Sequence, residues 1–230
     1  MRGRAHNIAA MRYLGSALAA LLLSAPAAVA HPHIFIDTAL EVIIDADGRA
    51  TAVRVVWVYD DFYSLMMLQD RGLDPDGDSK LTSDEDARLS GFDMAWDADF
   101  AGDLFVLDKG AQPVALGRPH DWSARVEQGR IVSVHVRDIT APVAIGQGPL
   151  VLQVYDPTYY TAYTILGTPL LSGPGAGACS VQVFEPDLGA AQEQLQAMLQ
   201  EYTADQSVEQ DFPAVGAEFA EEARVTCGTG

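Results

Sequence analysis

The chain is poor in cysteine, in cationic side chains and, past its first thirty residues, in long apolar runs. Its 230 residues hold 2 cysteines, and 14 Lys and Arg stand against 32 Asp and Glu, a formal net charge of −18. The two cysteines, Cys179 and Cys227, are too widely spaced to read as a thiolate metal pair. In an oxidising compartment an even pair reads as one disulfide, here a staple for the C-terminal segment. On the chain-entropy model it contributes roughly 3–4 kcal/mol. The shortage of cations argues against a nucleic-acid surface and against binding to anionic membranes. It suits capture of cations. Gly-x-Ser-x-Gly, His-Glu-x-x-His and a phosphate loop are also missing, so no familiar hydrolase or nucleotide site is written in the chain. There is no internal repeat and no low-complexity tract. No stretch after residue 30 is apolar enough to span a bilayer.

What is present begins with a targeting segment. Arg2, Arg4 and Arg12 form a positive front, Leu14 to Ala25 an apolar core, and Ala28-x-Ala30 the small residues that signal peptidase needs. Met11 offers a second start. The alternative, an uncleaved anchor, is weakened by the short run, by Ser24 and Pro26, and by the lack of basic residues behind it. The expectation is a cleaved secretory signal over 1–30 and a single periplasmic domain over 31–230. Such a length buries a core without help.

Ile34 to Ile44 and Thr51 to Tyr59 read as a strand hairpin closed by Asp45-Ala46-Asp47-Gly48. On the first strand His33, Phe35, Asp37 and Glu41 share one face, while Ile34, Ile36, Leu40 and Val42 face the core. Phe62 to Gln69 changes to helical spacing after the acids Asp60 and Asp61. A second helix is expected from about Ser83 to Trp96. Strands follow over Asp103–Leu107, Pro113–Leu116, Trp122–Glu127, Ile131–Arg137 and Leu150–Tyr155, with Gln128-Gly129 as a tight turn. Tyr159 to Ile165 is a strand or a bent segment. Cys179 to Phe184 reads as a strand, Leu188 to Tyr202 as a helix, and Phe219 to Thr226 as the return that brings Cys227 to Cys179. The expected class is α+β: a mainly antiparallel β-sandwich-like domain, an inserted EF-hand-like helical hairpin at about 60–97, and a C-terminal helix.

Within that insertion, Asp74-Pro75-Asp76-Gly77-Asp78-Ser79-Lys80-Leu81-Thr82-Ser83-Asp84-Glu85 matches a twelve-residue calcium loop. Asp74, Asp76 and Asp78 would each give an oxygen, Lys80 its carbonyl, Thr82 a direct or water-bridged contact, and Glu85 both carboxylate oxygens. Ser79 stands where glycine is usual, which implies a weaker site. Extracytoplasmic calcium fills weak sites, so the expected role is structural support.

Past the signal four histidines remain: His31, His33, His120 and His135. His31 and His33 sit two apart at the new amino terminus, with Asp37 on the face of His33. Imidazoles with a carboxylate suit zinc. Pro32 lacks the amide N–H that the square-planar amino-terminal copper site deprotonates. A histidine brace through the amine and ring of His31 stays open. His135 lies with Ser133 and Arg137 on what reads as the polar face of its strand, away from the core. His120 begins a strand, free to point into a cleft. These two, and Asp156, are the outer candidates for the transition-metal site.

Five segments occur in order: His31-Pro32-His33-Ile34-Phe35-Ile36-Asp37, Asp60-Asp61-Phe62-Tyr63-Ser64, the Asp74–Glu85 loop, Gly91-Phe92-Asp93-Met94-Ala95-Trp96, and Val154-Tyr155-Asp156-Pro157-Thr158-Tyr159-Tyr160. Together they resemble the ZevA-like family of periplasmic proteins, a family labelled as a domain of unknown function. The resemblance covers nearly all of 31–230. It implies a partner inner-membrane transporter of the NicO nickel/cobalt type and a cargo of zinc or a related metal (nickel, cobalt or copper). From the family motif only His31 and His33 carry over as ligands.

The leading expectation is therefore a metal-binding accessory of a transport system, not an enzyme. The alternatives are a calcium-stabilised extracytoplasmic interaction module without cargo, and a histidine-brace copper enzyme if cleavage falls just before His31.

Overall fold

A computed structural model describes residues 32–98, 100–146, 148–201 and 213–228. The expected signal over 1–30 and His31 lie outside the described residues.

Strands β1 (Ile34–Ile44) and β2 (Arg49–Tyr59) form the predicted antiparallel hairpin. Alternating apolar residues bury one face. The turn is fixed by the Asp45 carboxylate, which accepts from the N–H groups of Asp47 at 3.0 Å and Arg49 at 2.9 Å. On the far side of β2 lies β5 (Arg130–Ala144), and beyond it β4 (His120–Glu127). Gln128 and Gly129 join these two with φ of 53° and 82°, the left-handed pair that a two-residue hairpin requires. The other edge of β1 carries β7 (Thr161–Ile165) and β8 (Leu170–Ser172), both parallel to it.

A second sheet has the order β3 (Leu104–Leu107), β6 (Leu150–Val154), β10 (Glu222–Cys227), β9 (Cys179–Phe184), antiparallel throughout. Both sheets give to one core: Val42, Val53 and Ile131 from the first, and Val106, Leu152 and Val225 from the second. Each such side chain contributes about 1.5–3 kcal/mol by burial. Cys179 lies directly opposite Cys227 in the β9–β10 ladder, and the two form the expected disulfide. No helix among the described residues is long and apolar enough to cross a membrane.

The expected class needs correction. The described chain is β-rich: two sheets and three helices, α1 (Asp61–Asp70), α2 (Ser83–Leu89) and α3 (Leu188–Leu199). The EF-hand-like hairpin over 60–97 is not formed. Its second helix stops at Leu89, a single buried residue, after which Gly91 turns the chain with φ of 74°. Residues 91–98 then run as turns and coil, and Met94 is buried. In α1, Ser64 and Leu68 are buried, while Phe62, Leu65 and Met66 are exposed. The sandwich is not uniformly antiparallel, because β7 and β8 return along β1 in its own direction. Pro113 to Leu116 makes isolated bridges only, to Leu107 and Ile139.

Candidate functional site

Register builds the inner face of the first sheet. Ile36 pairs with Tyr59; Thr38 with Trp57 and, across β2, Ser133; Leu40 with Val55 and His135; Val42 with Val53 and Arg137. The strand face bearing Ser133, His135 and Arg137 therefore points into the protein, not to solvent. Residues after α2 cover it. Trp96 lies 5.5 Å from the His135 ring, and Trp57 4.7 Å from it, centroid to centroid. Arg137 stacks over Trp96 at 5.1 Å and donates to the carbonyls of Gly117 at 2.9 Å and Ala101 at 2.5 Å. Gly102 permits that packing. It has φ of 78°, and a Cβ there would collide with the Trp96 ring.

Where the sheets meet at one end, a cavity of about 500 Å³ opens. Six aromatic side chains form much of its wall: Trp57, Tyr59, Tyr63, Phe100, Phe105 and Tyr163. Asp93, Asp103 and Asp156 are its charged groups, and no Lys, Arg or His lines it among the described residues. Two acids are held by phenols. Tyr59 donates to Asp93 at 2.8 Å, and Tyr163 to Asp103 at 2.7 Å. Burial pushes the Asp103 carboxyl up to about 7, against the Tyr163 bond and with help from the nearby Asp156 charge. Burial also raises Asp93, against the hydroxyls of Ser133 and Tyr59. Both phenols are driven well above the usual tyrosine range by burial and their acidic partners. Asp93 Oδ1, Trp57 Nε1 and Thr38 Oγ1 are buried with no hydrogen-bond partner.

The sequence-predicted ligands do not gather here. His33 is exposed; its N–H donates to the Tyr160 carbonyl at 2.8 Å and its ring lies 4.8 Å from that of Tyr160. Asp37 pairs with Arg130 at 2.9 Å. His120 Nδ1 lies 3.0 Å from Asp121 and Nε2 3.2 Å from Asp138; the Asp121 bond raises its pKa. His135 corrects the sequence reading outright. It is 0% exposed, both ring nitrogens lack partners, and burial, with the Arg137 charge, pushes it down to about 3. It shares a row with Leu40, seven residues beyond His33, or about 23 Å along an extended strand. His120 pairs with Val136 and so lies on the opposite face from His135. Strand pairing thus separates His33, His120 and His135. Asp156 reaches the cavity, where it also ties its own loop through Thr158 at 2.8 Å and the Thr161 N–H at 3.1 Å.

The calcium-type loop is a separate place. Asp74, Asp76 and Asp78 offer oxygens within 4.8 Å of one another. Asp74 accepts from the N–H groups of Asp78 and Ser79, both at 3.1 Å, and Ser79 takes the left-handed backbone with φ of 60°. Glu85 is turned to other work. Its carboxylate accepts from Thr82 N–H at 2.8 Å, Thr82 Oγ1 at 2.7 Å and Asp74 N–H at 3.2 Å, completing a capping box on α2. These bonds hold the Glu85 carboxyl below its usual range, Thr82 first.

Sequence reasoning missed Trp57, Tyr59, Asp93, Asp103 and Tyr163. One signal was there: Asp93 is the lone acid inside Phe92-Asp93-Met94-Ala95-Trp96. The motif segments that begin at His31, Asp60, Gly91 and Val154 each place a residue on the cavity: Ile34, Tyr63, Asp93 and Asp156.

These features define a disulfide-stapled, two-sheet β domain with an acidic, aromatic cavity. Residues 16–227 match the family model described as a protein of unknown function (DUF1007), and the chain belongs to that family. A search of curated proteins finds no match.

Proposed function

We propose that this protein captures a divalent transition-metal ion outside the cytoplasm and passes it to an inner-membrane transporter of the NicO type, as the resemblance to ZevA-like proteins implies. Zinc is the first candidate, with nickel, cobalt and copper as alternatives. The reading places the protein in the periplasm and assigns it no catalysis. Its ligands are the imidazoles of His31 and His33. The observation that carries it is access. His33 is exposed and held by its backbone at the head of β1, whereas His135 is sealed in the core. The acidic chain favours cation encounter. An apolar surface for a protein partner lies close by. Phe35, 54% exposed, bonds through its N–H to Asp60 at the start of α1, where Phe62 is 74% exposed.

The test is native mass spectrometry and calorimetry on residues 31–230 with zinc, nickel, cobalt and copper. The reading expects one tight equivalent that His31→Ala/His33→Ala removes. Binding no tighter than micromolar, or binding unchanged in that variant, overturns it.

The clustered oxygens of Asp74, Asp76 and Asp78 favour a second reading, a calcium-stabilised interaction module. Its mark is a melting temperature raised by calcium and not by zinc. Asp76→Asn removes that response and leaves the α2 cap intact.

A further inference from the structure

We infer that the cavity between the sheets is a binding site for a small organic cation, an amine or quaternary ammonium compound.

Four observations point the same way. The charged groups of the wall are all carboxyls, so an anion is repelled. The rest is largely aromatic, and aromatic faces attract ammonium groups as well as the carbon around them. Asp93, Asp103 and Asp156 do not form a metal cluster: among the described residues only Asp74, Asp76 and Asp78 bring oxygens within 4.8 Å of one another. A space of about 500 Å³ has the size of a small-molecule site.

A ligand of this class answers each feature. Its ammonium neutralises Asp93 and Asp103, which Tyr59 and Tyr163 hold from behind. Its carbon body lies against Tyr63 and Phe105. The site is independent of metal capture by His31 and His33, and each idea survives failure of the other.

The experiment is calorimetry, with tryptophan fluorescence as a second readout, on residues 31–230 at pH 8 in an amine-free buffer. The probes are choline, ethanolamine and putrescine. The controls are 3,3-dimethylbutanol, the uncharged counterpart of choline, and succinate. At least one ammonium probe is expected to bind saturably, and the neutral alcohol at least about tenfold more weakly, as loss of a desolvated cation–aromatic contact implies. Asp93→Asn and Asp103→Asn keep an acceptor for each phenol; each is expected to weaken binding about tenfold or more. Tyr63→Leu, on a half-buried side chain, is expected to weaken it too. Binding must persist in His31→Ala/His33→Ala. No saturable binding of any ammonium probe, equal binding of the alcohol, or full affinity in both aspartate variants overturns the inference.

Discussion

The phenol of Tyr163 donates to the carboxyl of Asp103 at 2.7 Å, and this bond joins the two sheets: Tyr163 belongs to β7 of the first, and Asp103 precedes β3 of the second. The carboxyl is buried, so its charged form is disfavoured in the folded protein and its pKa rises from 3.8 to about 7. Between those values the folded state holds more protons than the unfolded one. Stability therefore falls as pH climbs through that window, and the penalty is complete above about 7. Asparagine keeps an acceptor for Tyr163 and carries no charge. Asp103→Asn is expected to melt with the wild type near pH 4 and at a higher temperature near pH 8. Equal differences at both pH values would show that the charge is not the cause.

His135 has the opposite sign. Burial pushes it from 6.5 down to about 3, so between those values the unfolded chain binds the extra proton. Stability is fully present above pH 6.5 and is lost as pH falls toward 3. His135→Leu removes the sealed, unpartnered ring and is expected to flatten the acid limb of a melting-temperature profile. Each pKa unit corresponds to about 1.4 kcal/mol, so the difference is readily measured. The two groups together place the stability maximum in the mildly acidic range. An acid limb equally steep in the variant would sink this account.

The strands were legible because period-2 alternation and turn chemistry are local. Ile34–Ile44, the Asp45 turn and the Gln128-Gly129 hairpin all appear where the residues require them. The cysteine pairing was legible from compartment logic alone. What failed depends on cover that comes from distant chain. Ser133, His135 and Arg137 look like a solvent face until Trp57 and Trp96 lie over it. The helical insertion failed because the chain turns at Gly91 just after Leu89, and residues 91–98 run as turns and coil instead of extending the second helix. The cavity was not legible because Asp156 lies more than fifty residues from Asp93 and Asp103, and the three line one space only through sheet packing.

Gly102 offers a sharper test of that packing. Its φ of 78° and its closeness to the Trp96 ring both exclude a side chain. Gly102→Ala imposes backbone strain of about 1 kcal/mol or more and displaces Trp96, which in turn loosens Arg137 and uncovers His135. The expected result is a lower melting temperature and a red-shifted tryptophan emission. The variant also raises the His135 pKa toward its ordinary value, because water reaches the ring. An unchanged emission spectrum would mean that Trp96 is not held by this contact.

Thr82 and Glu85 separate support of α2 from any role in calcium binding. Thr82 Oγ1 accepts from Glu85 N–H at 3.4 Å, and the Glu85 carboxylate accepts in return from Thr82 N–H at 2.8 Å. Thr82→Ala removes the first bond and is expected to cost about 1 kcal/mol. The helix has seven residues and seats Leu89 in the core, so the loss is local. Amide exchange at Asp86 and Ser90, whose N–H groups donate to Thr82 and Asp86 carbonyls, is expected to speed up about fivefold, while strand amides such as Val53 stay protected. Calcium held by Asp74, Asp76 and Asp78 does not need the Thr82 hydroxyl. The calcium-induced rise in melting temperature is therefore expected to survive Thr82→Ala and to vanish in Asp76→Asn. If both variants lose it, the cap and the cation share Glu85, and the three aspartates alone do not make the site.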